Sequence, residues 1–376
     1  MAEPLKNLFN PRLIRAMGTH LARIAGFDRA RFEAEALDGL DGLEMMQRSA
    51  RITAALRANL PEAAFPETLT ALAGLLHPET EAPLDDMPLD ERGLRGWALV
   101  PVGNLVAEDG LGCPEESLRF LREMTMRFSA EFAVRPFFRG HTALALDHAR
   151  AWAGDANFHV RRLASEGSRP RLPWGLRLNV FVDDPAPLVP ILTRLRDDEI
   201  EYVRRSVANS LNDIGKDHPD LVAGLAVGWS KGASAPRRKL VKHALRTLIK
   251  AGHPGALAVM GYGPPEGVTA RLEVAPKAVQ LGDSLTLKVT LEGTHALPVL
   301  IDFAVHFRKA DGGLGPKVFK WTEARLEPGT PLALQKRVPL RDVTTRRHYP
   351  GKQAVSVQVN GATLAEAPFD LTVPGT

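Results

Sequence analysis

The rhythm of apolar positions changes once along the chain, near residue 261. Before that point apolar side chains recur every three to four residues, the period of amphipathic helices. Such stretches run over residues 30–40, 43–60, 67–76, 114–128, 141–153, 187–196, 199–216 and 239–251, separated by short breaks rich in Pro, Gly, Asp and Asn. Gly261-Tyr262-Gly263-Pro264-Pro265-Glu266-Gly267 then gathers turn formers into what reads as a linker. Beyond it the apolar positions mostly alternate. Residues 270–274, 284–291, 299–307, 318–325, 332–338, 354–359 and 369–373 are short, rich in Val, Leu, Phe and Thr, and bounded by turns such as Asp311-Gly312-Gly313 and Glu327-Pro328-Gly329. The pattern predicts an all-α domain over 1–262, a linker over 263–268 and an all-β domain over 269–376. Seven short strands in about 105 residues predict an immunoglobulin-like sandwich.

The helical part repeats itself weakly. Val160-Arg161-Arg162 recurs as Val203-Arg204-Arg205, 43 residues on, and Arg204, Val207, Leu211 and Lys216 recur 34 residues on as Arg238, Val241, Leu245 and Lys250. Periods near 35 to 45 in a helical chain predict a HEAT-like solenoid, in which stacked helix pairs bury faces that no pair can bury alone. A plain helical bundle is the competing expectation.

Charge adds an asymmetry. The net charge is +4, but residues 161–250 carry seventeen Lys and Arg against ten Asp and Glu, whereas residues 1–100 carry eleven against fifteen. A basic middle favours a polyanionic partner. No apolar run is long enough to span a membrane and no secretory signal is visible. The single cysteine, Cys113, forms no internal disulfide and supports no cysteine metal cluster. A Gly-rich phosphate loop, a Rossmann fingerprint, His-Glu-x-x-His and Gly-x-Ser-x-Gly are all missing, so no nucleotide cofactor and no metal are expected.

Two regions could carry chemistry. At about 100° per residue, the 199–216 helix, with Asp198 placed to cap it, puts Val203, Val207, Leu211 and Ile214 on one side. Arg205, Asn209, Asn212, Asp213 and Lys216 fall on another. That polar face is either ordinary solvated surface or part of a cation ridge spaced for a phosphate backbone. The second region runs from Phe158 to Gly175, where Arg161, Arg162, Arg169 and Arg171 surround Glu166 and lead into Pro173-Trp174-Gly175. A carboxylate among so many cations ionises easily. Glu131, in apolar surroundings, reads as a helix start or as one half of a Glu131–Arg135 pair.

The stretch from Phe158 to Trp174, with residues 201–219, resembles the bacterial DNA alkylation-repair glycosylases built from HEAT-like repeats, and within them the AlkC branch. Residues 3–10 and 131–140 fit that branch, and the β-domain with Pro316-Lys317-Val318-Phe319-Lys320-Trp321 resembles the immunoglobulin-like module of some members. The resemblance covers nearly the whole chain. It implies excision of cationic alkylated bases, 3-methyladenine and 3-methylcytosine, from double-stranded DNA in base excision repair, without full base flipping. It also implies a monomer of the bacterial cytoplasm, at the nucleoid when bound to DNA. Carried onto this sequence, the catalytic cluster is Glu131, Glu166, Trp174 and Asp213. Asp213 and Glu166 would face the sugar and the attacking water, Glu131 would shape the site, and Trp174 would contact the lesion nucleotide. The Trp-Asp helix motif of the sister branch is not reproduced by Ala151-Trp152-Ala153-Gly154-Asp155, so that branch's roles are not transferred. Phosphate contacts are expected from Arg161, Arg162, Arg169, Arg171, Arg204, Arg205, Arg238, Lys239 and Lys242, and from β-domain loops near residues 309–320 and 346–347. The alternative is a non-catalytic HEAT-repeat scaffold or sensor that binds damaged DNA or protein.

Overall fold

The computed structural model describes residues 4–83, 89–343 and 346–374. Glu3, the first residue of the stretch that fits the AlkC branch, lies outside the described residues, as do the last two of the expected β-domain. Among the described residues sixteen α-helices precede Met260, and only strands follow Val268. None of these helices is long and apolar enough to cross a membrane.

By its internal packing the chain divides into two compact units. The first is Met1–Asp217 with Ser234–Ala244, and the second is His218–Ala233 with Leu245–Thr376. In the first, helices stack in chain order. Met45–Asn59 lies on Leu99–Asp109, Pro114–Thr125 on Phe158–Glu166, Phe158–Glu166 on Glu201–Ile214, and Glu201–Ile214 on Ala235–Ala244. Ion pairs tie successive layers at similar spacing. Arg122 Nη2 lies 2.6 Å from Asp155 Oδ2, Arg161 Nε 2.6 Å from Asp198 Oδ2, and Arg237 Nε 2.5 Å from Asp197 Oδ1. The 43-residue Val-Arg-Arg echo has a local cause as well. Arg161 donates to the carbonyl of Asp155, and Arg204 to that of Asp198, each six residues back.

Two local expectations are corrected. The 239–251 helix is two helices, Ala235–Ala244 and Arg246–Lys250, broken at Leu245, the residue at which the second unit resumes. Ile200, not Asp198, is the residue that precedes the Glu201–Ile214 helix. Asp198 Oδ1 still accepts the Ile200 N–H at 2.9 Å while its carboxylate is engaged by Arg161. Gly167 follows the Phe158–Glu166 helix with φ −64°, a right-handed conformation. Space requires a glycine there, since a Cβ would come within 2.6 Å of Val134 Cγ1.

The second unit packs three helices, Pro219–Ser230, Arg246–Lys250 and Pro254–Val259, with the sandwich. Its strands are β1 (Val268–Ala275), β2 (Ala278–Gln280), β3 (Ser284–Gly293), β4 (Leu297–Arg308), β5 (Leu314–Leu326), β6 (Leu332–Pro339), β7 (Gly351–Val359) and β8 (Ala362–Thr372). They form a three-stranded sheet, β1-β3-β6, and a five-stranded sheet, β2-β8-β7-β4-β5. All neighbours are antiparallel except β2 and β8. β2 is the strand that alternation does not reveal, being three residues long. Inward residues of the two sheets make two apolar clusters, one with Leu285, Leu287, Phe303, Val305, Val355 and Phe369, the other with Val289, Leu291, Val299, Ile301 and Val357. β4 is buried on both faces from Val299 to Val305, a run that is apolar but for Asp302. Asn360 pins this unit together: its amide donates to the Gly263 carbonyl at 2.8 Å and accepts the Leu300 N–H at 2.7 Å.

Candidate active site

Phe158–Glu166 is a short helix whose Asn157 cap accepts the His159 N–H at 2.9 Å. Four-residue spacing puts Arg162 and Glu166 on one face of it. The Glu201–Ile214 helix packs opposite, and its Tyr202, Ser206 and Asp213 fall on the side that meets Phe158–Glu166. Ser165 and Ser206 bond through their hydroxyls, and the Arg162 guanidinium lies over the Tyr202 ring at 4.9 Å. The face read from sequence as polar is therefore split. Asn212 and Asp213 are buried, whereas Arg205 stays exposed. The helical wheel could not show this, because what covers Asp213 is the layer in front of it.

The three expected carboxylates are joined by shared arginines. Glu131 pairs with Arg162, whose Nη2 lies 3.6 Å from Glu166 Oε1. Arg169 donates to Glu166 Oε1 at 2.6 Å and, through Nε and Nη2, meets Asp213 Oδ2 at 2.9 and 2.8 Å. Lys216 closes the row 3.2 Å from Asp213 Oδ1. Ser129 accepts from Arg162 at 2.6 Å and donates to Glu131 at 2.9 Å. Glu166 and Asp213 are 5% and 2% exposed. Burial pushes the Glu166 carboxyl up, but the Arg162 and Arg169 guanidiniums and the Ser206 hydroxyl outweigh it and hold it below the usual carboxylate range. Burial works against the Arg162 guanidinium too, and Glu131 and Glu166 more than restore its charge. Glu166 is thus an ionised group at neutral pH, suited to stabilising positive charge and unsuited to donating a proton. Among the described residues no group of three or more His, Cys, Asp or Glu is placed to hold a metal ion.

Trp174 stands apart from this buried row. It is 81% exposed, with φ +62°, a left-handed conformation that costs a non-glycine residue about 1–2 kcal/mol. The loop carrying it, residues 167–176, sits on Arg135. That guanidinium is fully buried and donates to the carbonyls of Gly167 (2.9 Å), Arg169 (2.8 Å) and Leu176. The expected Glu131–Arg135 pair is thus replaced. Glu131 turns to Arg162, because Arg135 is taken up by main-chain acceptors that its fork geometry fits. The sequence signal for Arg135 was slight: an arginine preceding Pro136-Phe137-Phe138, where a solvated cation is out of place. Phe132, next to Glu131, is the other exposed aromatic among the described residues, at 40%, and sequence reading passed over it.

The expected phosphate contacts separate into two groups. Arg161, Arg162 and Arg169 lie inside, with side chains 14%, 12% and 8% exposed, and their guanidiniums serve Asp198, Glu131, Glu166 and Asp213. Arg171 forms a two-point pair with Asp217, and Arg204 holds the Asp198 carbonyl. Arg205, Arg238, Lys239 and Lys242 reach the surface. Arg204, Arg205 and Lys239, with Glu201 and His243, line a cleft of about 360 Å³ between the Glu201–Ile214 and Ala235–Ala244 helices.

Comparison with known proteins now bears on this arrangement. Residues 268–373 match the family model described as the C-terminal Ig-like domain of uncharacterised protein YhaZ. The uncharacterized protein YhaZ of Bacillus subtilis (strain 168) is 37% identical over 370 residues, covering 98% of this chain and 99% of its own. The alkylpurine DNA glycosylase AlkC of Pseudomonas fluorescens, solved bound to DNA containing an abasic site analog, is also 37% identical. It superposes with a TM-score of 0.85 over 98% of this chain and 100% of its own. Likeness at that level across both whole lengths makes this chain a member of the AlkC-type family of DNA alkylation-repair glycosylases.

Proposed function

We propose that the protein is a DNA glycosylase that hydrolyses the N-glycosidic bond of cationic alkylated bases, 3-methyladenine and 3-methylcytosine, in double-stranded DNA. The observation that carries this is the buried row of carboxylates and guanidiniums, in which Glu166 is held ionised. An alkylated base already bears the positive charge that a general acid would otherwise supply. When the bond to the sugar C1′ breaks, its electron pair leaves with the base, which departs neutral, and the sugar becomes an oxocarbenium-like cation. Water then attacks C1′ and gives up a proton. Asp213 and Glu166 stabilise the developing cation and take up the water's proton, as carboxylates do in glycoside hydrolysis. Glu131 holds Arg162 so that Glu166 keeps its place. Trp174 meets the lesion nucleotide from the surface by stacking, CH–π or cation–π contact. A side chain so exposed suits recognition without full base flipping.

Double-stranded DNA is held by Arg171, Arg204, Arg205, Arg238, Lys239 and Lys242, while Arg161, Arg162 and Arg169 act within the protein. Lys317, set over Phe319 at 5.3 Å, and Arg346, over Phe307 at 4.2 Å, give the sandwich cations of its own for the same backbone. The enzyme acts as a monomer in the cytoplasm, without cofactor.

The test is incubation with methylated duplex DNA and assay of free base. Release of 3-methyladenine is expected from the wild-type protein, and Asp213→Asn should lose at least about 100-fold of it while binding DNA as well or better. A wild-type protein that binds methylated DNA and frees no base is a sensor, and the glycosylase reading then fails.

A further inference from the structure

We infer that Arg135 is a positioning residue for the reaction, acting through Trp174. It rests on the reading that Trp174 meets the lesion nucleotide. Arg135 is among the largest fully buried side chains of the described residues, and its hydrogen bonds run to the main chain of one loop. Two of its acceptors, Gly167 and Arg169, precede Trp174 and the third, Leu176, follows it. The guanidinium therefore grips both feet of the segment that lifts the indole into solvent. Gly175 shows how closely it fits: a Cβ there would lie 3.2 Å from both Arg135 Cδ and Arg135 Nε, and 3.0 Å from Leu172 Cδ2.

The loop needs such a grip. Trp174 is held at φ +62°, where a residue with a Cβ stays only if its surroundings fix it. Two further main-chain bonds close the loop on itself, Gly175 N–H to Leu172 O at 3.1 Å and Leu178 N–H to Pro170 O at 3.1 Å. Neither ties it to another element, whereas Arg135 reaches in from a separate helix, Arg135–Gly140. Its charge also fits its place. Burial and, less strongly, the neighbouring Arg169 lower the guanidinium to about 10 against the opposing pull of Asp213, Glu131 and Glu166, so it stays charged at neutral pH. Lysine keeps the charge but concentrates its donors on one nitrogen, so it cannot span three carbonyls.

Two variants of the full-length protein test this, Arg135→Lys and Gly175→Ala, the second serving if the first does not fold. Gly175 is not in a positive-φ conformation, so alanine presses on Arg135 without straining its own backbone. Each is made with and without Trp174→Ala. The protein has five tryptophans, of which Trp152 and Trp229 are buried and Trp97 and Trp321 half-buried. The difference in acrylamide quenching between each protein and its Trp174→Ala counterpart therefore reports the indole of Trp174. Both variants should change that difference. Single-turnover release of 3-methyladenine should slow about tenfold in the Trp174 background and by less than about twofold in the Trp174→Ala background, with melting temperature as the control for folding. Unchanged quenching in a folded variant, or equal slowing in both backgrounds, overturns the inference. If quenching changes but Trp174→Ala alone excises at the wild-type rate, the positioning of Trp174 stands and its contact with the lesion falls.

Discussion

Individual side chains here divide between those that a sequence reveals and those that only packing reveals. Glu166 was legible because four arginines crowd it within eleven residues, and the structure gives it two of them as partners. Asp213 was legible by resemblance alone. On a helical wheel it belongs to a polar face, and the partner that meets it, Arg169, comes from a loop 44 residues earlier. Arg135 was misread because its partners are carbonyls, which leave no mark in the sequence. Arg161 shows the converse: a cation named from sequence for phosphate, its guanidinium pairs with Asp198 and ties two layers. Its side chain is 14% exposed and that of Asp198 5%. Arg161→Ala strands the Asp198 carboxylate and should cost roughly 3 kcal/mol, seen as a lower melting temperature, while leaving the salt dependence of DNA binding unchanged. A slope lowered by one unit without loss of stability would return Arg161 to the phosphate contacts.

At the scale of elements, period and turn chemistry carried most of the information. Strands longer than five residues announce themselves by alternation, and seven of the eight strands overlap predicted ones. β2 escapes because three residues cannot show a period. Helix ends were read less well, since Leu245, the residue at which the second unit resumes, interrupts an unbroken apolar pattern. β4 holds a pH-dependent feature that no pattern foretold. Asp302 is 7% exposed within it, and burial raises its carboxyl to about 6, with Lys320 and Lys250 opposing. The folded state thus prefers the protonated acid. The resulting stabilisation is complete below the ordinary Asp range and is lost as pH rises through about 6. Asp302→Asn keeps an acceptor for the Trp321 N–H and removes the charge. It should stabilise the protein at pH 8 by roughly 1–3 kcal/mol relative to wild type, and by nearly nothing at pH 4, as denaturant titration at the two pH values would show. A constant difference would mean that Asp302 does not titrate there.

For the molecule as a whole, the two halves of the sequence pattern map onto helices and strands, yet the compact units do not divide at the linker. Pro219–Ser230, Arg246–Lys250 and Pro254–Val259 fall in the same compact unit as the sandwich, so cutting the chain at residue 268 would divide that unit rather than detach a module. Single charge removals are the cleaner probe. Lys239→Ala in the helical unit and Lys317→Ala in the sandwich should each lower the slope of log affinity against log salt by about one, for any DNA sequence. A slope unaltered by Lys317→Ala would free the sandwich from the backbone role. Glu166 and Asp213, by contrast, are only 5% and 2% exposed, and mobile ions weaken only fields that pass through water. Rising salt should therefore loosen capture of DNA yet spare turnover on lesions already held. Salt would then separate capture from chemistry, the first failing while the second holds.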